Sequence, residues 1–482
     1  MRLGQTSIIF FVSRLIGSVL GFVATIYFAR LLGEEVLGFY AVAIALVSWL
    51  TIAGEIGISG AIKKRISEGE EQGAYATAGG LLIGILAAIV ALVIMLFRGS
   101  VNEYIGVPVA ELVILIVFVQ LVLGFVFSLL QGSHLVHVYA VLSTTKQGLL
   151  SAAQIVLVFV GWGLVGMLVG YAVGGFLTAI VAILILKIRP KIPKNRHFVR
   201  LVDYAKYSWL GGMKGKTFDW VDIIVLGFFV PTGLIGIYSV AWSIGRFLEI
   251  FGRGISTTLF PEMSEIATKN DPSAVSGLTE DALRYAGLIL IPGLVGGFVV
   301  GDRLLQIYGD GFVAGETVLV ILISALLVYT YNQQLLNTLN AIDRPDLAFR
   351  SNAIFIGSNL IFNLIFVYAI GWIGAAIATT LSAVVGLVFA YHYTKSHVPL
   401  TVSYGEIARQ WTAAIGMGLV IYATRAFGEA HWAWIPDYNA VFVVGLVGLG
   451  TAVYFTLLFG ISREFRTTIA NNLPFDVPLV ES

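Results

Sequence analysis

Cysteine is absent from this sequence, charged residues are scarce, and no polar stretch is long enough to fold alone. Without cysteine, neither a disulfide framework nor a thiolate metal site can form. Charged residues make up only 12% of the 482 positions, against about 25% in ordinary soluble domains. The formal net charge of +1 gives no electrostatic footing for nucleic acid. Six histidines are scattered along the chain; His134 and His137 are the only close pair and sit at a polar loop fringe, so no metal constellation is expected. No polar segment between apolar runs exceeds roughly twenty residues, too short for a globular catalytic domain.

What is present is apolar. Hydrophobic residues account for 58% of the chain and the mean hydropathy is +0.91, which excludes a soluble fold of this length. Apolar runs of about 18 to 25 residues recur, each able to cross a hydrocarbon core roughly 30 Å thick as a helix. The expected class is an all-α polytopic membrane protein with about fourteen transmembrane helices. They fall near 6–29, 36–62, 75–97, 108–131, 140–161, 164–187, 205–230, 234–259, 280–300, 315–339, 349–371, 373–394, 406–427 and 438–460. The first run follows Met1-Arg2, contains Arg14 and lacks a small-residue cleavage pattern, so it reads as a retained span.

Basic residues orient the chain. With both termini cytoplasmic, Arg30, Arg98, Arg303 and Arg425 fall outside, five basic residues lie within spans, and the rest of the 29 Lys and Arg lie at cytoplasmic ends or loops. The densest basic stretch, Lys187 to Arg200, reads as a positive-inside anchor and linker, with lipid head-group binding as the rival reading. The aromatics Trp432, Trp434 and Tyr438 suit an outer interfacial belt.

The two halves resemble each other. Leu37 to Ala43 (LGFYAVA) is echoed by Ile235 to Ala241 (IGIYSVA), Gly57-Ile58-Ser59 by Gly254-Ile255-Ser256, and Gly161-Trp162 by Gly371-Trp372. Shared order and a near-constant offset of about 200 residues point to an internal repeat. Six helices per copy is an even number, so the copies enter from the same side and form two parallel six-helix lobes with a cavity between them, a transporter plan. The expected divisions are an N-terminal lobe at 1–187, a basic linker at 188–204, a second lobe at 205–395, and two extra helices with a short tail at 396–482.

Charges inside spans carry the functional argument. They are Arg14, Lys214, Lys216, Arg246 and Arg253, with Glu55, Asp219, Asp222 and Glu249, all on the first two helices of each repeat. Each charge left in hydrocarbon costs at least about 2.5 to 3.5 kcal/mol, so these residues face water, a partner or a cargo. Arg246, Glu249 and Arg253 share one helical stripe. Pairing of Lys216 with Asp219 and of Arg246 with Glu249 as structural glue is one reading; snorkelling is the rival for Arg14 and an interfacial position for Glu55. An anionic, phosphate-bearing cargo is the other, since guanidinium and ammonium donors suit phosphate oxygens. Gly215-Lys216-Thr217 is not a nucleotide loop: the required first glycine position holds Leu210, and no soluble strand-loop-helix context surrounds it.

The opening span with its embedded Arg14 (FFVSRLIGSVLGFVATIYFARLLG), GFYAVA after it, and FDWVDIIVLGFF, GLIGIYSVAWSIGRFLEI and TTLFPEMSEI in the second half resemble the polysaccharide-biosynthesis, O-antigen-type flippases of the multidrug/oligosaccharidyl-lipid/polysaccharide exporter superfamily. The resemblance covers nearly all of the chain. It implies a fold like that of the lipid II flippase and the multidrug antiporters. It also implies alternating-access transfer of a polyprenyl- or dolichyl-phosphate- or diphosphate-linked saccharide from the cytoplasmic to the outer leaflet of the cell membrane, for surface polysaccharide or glycoprotein glycan assembly. No enzymatic step, resident cofactor or metal is implied; coupling to H⁺ or Na⁺ is. By position, Arg14, Lys214, Lys216, Arg246 and Arg253 would bind the head group, and Asp219, Asp222, Glu55 and Glu249 would take the coupling cation or balance the bases. The two extra helices would shelter the lipid tail. Asn332, Gln333 and Asn337, with Gln334 and Asn340, supply neutral hydrogen-bonders for sugar hydroxyls, with interhelical glue as the rival reading. Association with glycan-assembly enzymes fits such a role. The alternatives are a cation-coupled drug or metabolite antiporter of the same fold, a membrane glycan polymerase or ligase, and a non-transporting scaffold.

Overall fold

In the computed structural model, the backbone is described for residues 3–268, 272–435 and 437–472, with side chains throughout except at 3–16, 18, 207–217, 257–258, 268, 272–273, 469 and 471–472. Among the described residues there are helices and no strand. In chain order they are α1 (Leu3–Glu55), α2 (Ile58–Ser67), α3 (Gln72–Leu96), α4 (Arg98–Ile105), α5 (Ala110–Gly132), α6 (Val136–Phe159), α7 (Gly163–Ile185), α8 (Asn195–Phe229) and α9 (Thr232–Thr268). Then follow α10 (Pro272–Ala286), α11 (Leu290–Gln306), α12 (Glu316–Ala341), α13 (Pro345–Ile370), α14 (Trp372–Lys395), α15 (Tyr404–His431), α16 (Asn439–Ile461) and α17 (Arg463–Asn472).

The chain is an all-α, multi-pass membrane protein. Among the described residues, eleven helical segments are long and apolar enough to cross a membrane. The expected count of fourteen is not reproduced, and the difference has three sources. The spans expected at 6–29 and 36–62 run together in α1, broken only at Gly33 (φ 77°, ψ 176°). The helices α8 and α15, 35 and 28 residues long, carry more charge and polarity and are not among the eleven.

Contacts divide the chain into two compact units, Met1–Ser239 and Val240–Ser482, so the division falls inside α9. In the first unit, Gly166, Gly170 and Gly174 of α7 recur every four residues on one face. A Cβ on Gly170 or Gly174 would lie 2.6 or 2.5 Å from the α6 backbone at Gln154 or Leu150, so only glycine allows these two helices to touch. The α1 helix ends at Glu55, and the chain turns through Ile56 (φ 38°) and Gly57 (φ 75°) before α2. A β-branched residue in that region costs about 1 to 3 kcal/mol, so the surrounding packing holds the break. Val126, Leu130, Leu142 and Ala182 form a buried cluster joining α5, α6 and α7.

In the second unit α14 packs against α12 and α13, and Leu283, Leu335, Leu336, Leu339, Leu347 and Ala390 form a buried cluster there. The pair α15 and α16 packs on α11. An ion pair and a hydrogen bond fasten the two ends of α15: Arg425 forks onto Asp302 at 2.8 and 2.6 Å, and Arg284 of α10 donates to Ser403, just before α15, at 3.1 Å. Arg284 also meets Glu464 of α17 at 3.0 Å.

Candidate functional site

The stripe expected on α9 is assembled in the second unit. Glu249 is 2% exposed and receives hydrogen bonds from both neighbours: Arg246 Nη1 donates to Oε2, and Arg253 Nε donates to Oε1 at 3.0 Å. Spacings of three and four residues place all three side chains on one helix face. The Arg246 guanidinium also stands over the Trp242 ring, 5.7 Å from its centre. The arginine side chains are 19% and 38% exposed. Two guanidiniums therefore share one buried carboxylate. The pairing of Arg246 with Glu249 expected as structural glue is present, and Arg253 joins it.

In the first unit Asp222 of α8 is 5% exposed and accepts a hydrogen bond from the Tyr238 hydroxyl of α9, itself 1% exposed. A hydroxyl donor satisfies a buried carboxylate without neutralising it. Asp219, one turn earlier, is half-buried. Glu55 lies at the end of α1, beside the strained turn, with Oε1 so close to α5 that a Cβ on Gly124 would sit 2.4 Å from it. Thus α8 positions two carboxylates in the first unit and α9 positions Glu249 in the second. Arg14, Lys214 and Lys216 fall among side chains outside the described residues.

The neutral candidates lie on α12. Asn332 is 1% exposed and is packed against Gly386 of α14, where an added Cβ would lie 3.0 Å from its Nδ2. Gln334, also 1% exposed, accepts from Ser256 Oγ at 3.0 Å and donates to the Gly252 carbonyl at 3.3 Å, tying α12 to α9. Gln333 and Asn337 are half-buried and Asn340 is exposed.

Three polar groups escape a charge-based reading of the sequence. Gln154 of α6 donates to the Tyr40 hydroxyl at 2.9 Å and to the Met167 carbonyl at 2.8 Å. Asn359 of α13 donates to Thr379 of α14 at 3.3 Å, and Asn363 to the Asn359 carbonyl at 3.0 Å. Lys146 of α6 donates to Gln120 of α5 at 3.4 Å. The expectation that buried-depth charges occur only in spans one, two, seven and eight is corrected here. Because α6 begins at Val136 rather than near 140, Lys146 lies ten residues into a 24-residue helix, near its middle rather than at its end. The polar run around it was the available signal.

At the basic linker, Glu71 takes hydrogen bonds from Arg196 and from His197 Nε2 at 3.1 Å. His197 Nδ1 accepts from the Lys194 backbone N–H at 2.8 Å, which fixes Nε2 as the nitrogen that donates to Glu71. The His197 hydrogen bond, the largest effect, together with the Arg196 contacts outweighs desolvation and holds the Glu71 carboxyl below the usual carboxylate range.

Comparison with known proteins follows the same outline. The chain is 30% identical over 477 residues to "Probable flippase AglR" of Haloferax volcanii, covering 97% of this chain and 98% of that one. It is 27% identical to "Probable low-salt glycan biosynthesis flippase Agl15" of the same organism, covering 99% and 100%. Among solved structures, a lipid II flippase MurJ in an inward closed conformation superposes with a TM-score of 0.79 at 18% identity, covering 95% of this chain and all of that one. An inward-facing MATE family transporter of the MOP superfamily superposes with a TM-score of 0.60 at 15% identity, covering 79% and 95%. These two likenesses establish the fold. The profile of the family described as "Polysaccharide biosynthesis protein" matches residues 3–267, and with full-length relatives at such identity the chain belongs to that family.

Proposed function

We propose that this protein is a flippase for a lipid-linked saccharide, moving the head group from the cytoplasmic to the outer leaflet of the cell membrane while the lipid tail stays in the bilayer. The observation that carries the reading is the α9 clamp, in which Arg246 and Arg253 both hold the buried carboxylate of Glu249. Two adjacent arginines at membrane depth suit an anionic cargo, and planar guanidiniums suit phosphate oxygens. The full-length relatives described as flippases, one of them in glycan biosynthesis, support the same reading.

In this account the phosphate or diphosphate of a polyprenyl or dolichyl carrier engages Arg246 and Arg253 when the cargo enters, and Glu249 holds both arginines when it leaves. Arg14, Lys214 and Lys216 are proposed for the same cargo from their place in the sequence. Asp222, Asp219 and Glu55 are the proposed sites for a coupling H⁺ or Na⁺, and Gln333 and Asn337 the proposed sugar contacts. Both termini face the cytoplasm, and α15 with α16 shelters the lipid tail. The test is transfer by reconstituted protein: purified wild-type chain in liposomes should make a polyprenyl-diphosphate saccharide on one leaflet accessible from the other, and Arg246→Ala with Arg253→Ala should abolish it. Equal transfer by the double variant would overturn the head-group role.

A further inference from the structure

The middle of α6 is polar on every side. Ser143, Thr144, Thr145, Lys146, Gln147 and Gly148 are consecutive, and at 3.6 residues per turn six residues pass all the way round a helix. They lie roughly 10 to 18 Å of helical rise from Val136, in a helix about 36 Å long, and therefore near the middle of a membrane span. The span built on α6 is the least apolar of the eleven. None of the six residues is buried, and Thr145 is exposed. Lipid cannot border such a surface at that depth, because Lys146 alone would cost at least about 2.5 to 3.5 kcal/mol there. The segment therefore borders water.

A lysine and amide side chains meet at this depth. Lys146 Nζ reaches Gln120 Oε1 at 3.4 Å, and Gln120 lies near the middle of α5, so both side chains share a depth. Gln120 Nε2 is buried beside α7, where a Cβ on Gly175 would lie 3.4 Å from it, and has no hydrogen-bond partner among the described residues. Across from them, α1 presents Gly17 and Gly21 to Gln147, with Gly21 leaving 3.5 Å between an added Cβ and Gln147 Nε2. The glycine contact with α7 fixes α6 in rotation, so the lysine face is not free to turn toward lipid. One lysine with amide donors at the same depth makes a recognition site for an oxyanion.

We propose that Lys146 and Gln120, with Gln147, form a phosphate-contacting site of the first unit, lining a water-filled space in mid-membrane. The proposal deepens the flippase reading and rests on it for the identity of the cargo; the aqueous lining stands without it.

The absence of native cysteine makes the test direct. Thr145→Cys in the full chain, purified in detergent, is reacted with the charged reagent 2-sulfonatoethyl methanethiosulfonate and compared with Ile85→Cys, which is 57% exposed on the outer face of α3. Only hydrated thiols ionise to the reactive thiolate, so Thr145→Cys should react at least about tenfold faster. Farnesyl phosphate, and not farnesol, should then slow that reaction about threefold or more; the protection should vanish with Lys146→Gln and persist with Lys146→Arg. Reaction no faster than at Ile85→Cys would overturn the aqueous lining, and protection unchanged by Lys146→Gln would overturn the lysine's role. Proteoliposomes separate the two readings. If they fail to transfer lipid-linked saccharide while the labelling pattern holds, the flippase reading falls alone; if they transfer it and Thr145→Cys is inert, the α6 site falls alone.

Discussion

Gly38 and Gly236 occupy equivalent places in the internal repeat and pack backbone to backbone. A Cβ on Gly38 would lie 1.8 Å from the Thr232 carbonyl oxygen, and one on Gly236 would lie 1.9 Å from the Glu34 carbonyl oxygen. Glu34 and Thr232 are themselves separated by the same offset of about 200 residues, so the contact maps onto itself when the two copies are exchanged. The halves of the repeat thus meet at a point where neither helix tolerates a methyl group.

That contact predicts a sharp asymmetry between neighbouring glycines. Gly38→Ala or Gly236→Ala should destabilise the protein by about 1 to 3 kcal/mol through overpacking against backbone that cannot move aside. Gly233→Ala, whose Cβ would meet Glu34 at an ordinary 3.5 Å, should melt like wild type in detergent. Equal melting temperatures for all three variants would contradict the contact.

The α9 clamp predicts that its carboxylate matters for stability as well as for transfer. Glu249→Gln leaves two guanidiniums without their shared anion at a position 2% exposed, and removal of one partner of a buried ionic cluster costs about 3 kcal/mol or more. Yield of folded protein and thermal midpoint should fall more for Glu249→Gln than for Arg253→Gln, the more exposed arginine. The reverse order would place the weight of the cluster elsewhere.

The contacts at Glu71 predict an acid-sensitive linker. Its folded-state pKa is held below the ordinary value by His197 and Arg196, so the stabilisation is present above the ordinary carboxylate range and is lost as pH falls through the lowered value. Hydrogen exchange at residues 187–200 should therefore accelerate, beyond its intrinsic pH dependence, only at pH values below the usual carboxylate range. In Glu71→Gln it should be fast at neutral pH. A wild-type linker whose protection is already lost near pH 6 would point to another group.

At the far end of the second unit, the fork of Arg425 onto Asp302 predicts measurable coupling between α15 and α11. Both side chains are about three-quarters buried, at 22% and 25% exposed. A double-mutant cycle of Arg425→Ala and Asp302→Ala should give an interaction of about 1 to 2 kcal/mol, reduced for residual solvent screening. Additive effects would show that α15 is held by apolar packing alone.

Much of the fold was legible because membrane helices announce themselves as apolar runs. The α9 stripe was legible too, since Arg246, Glu249 and Arg253 fall on one face by spacing alone. Other features depend on tertiary context. Gly57-Ile58-Ser59 and Gly254-Ile255-Ser256 read alike, yet the first opens α2 after a turn at Ile56 and Gly57 while the second lies inside the unbroken α9. Apolarity alone puts Lys146 near the end of its span, because it marks where a span becomes lipid-compatible, whereas α6 starts earlier, at Val136. The orientation of neutral groups such as Asn332, buried against Gly386, depends on helix rotation, which no spacing rule fixes when polar residues are consecutive.

The central claim is tested most directly by the leaflet distribution of lipid-linked saccharide in cells that lack this protein and are complemented with wild type or with Arg246→Ala plus Arg253→Ala. The account predicts that the saccharide accumulates on the cytoplasmic leaflet without the protein, that wild type restores it to the outer face, and that the double variant reaches the membrane without restoring it. Normal outer-leaflet saccharide in the absence of the protein, or full restoration by the double variant, would contradict the account.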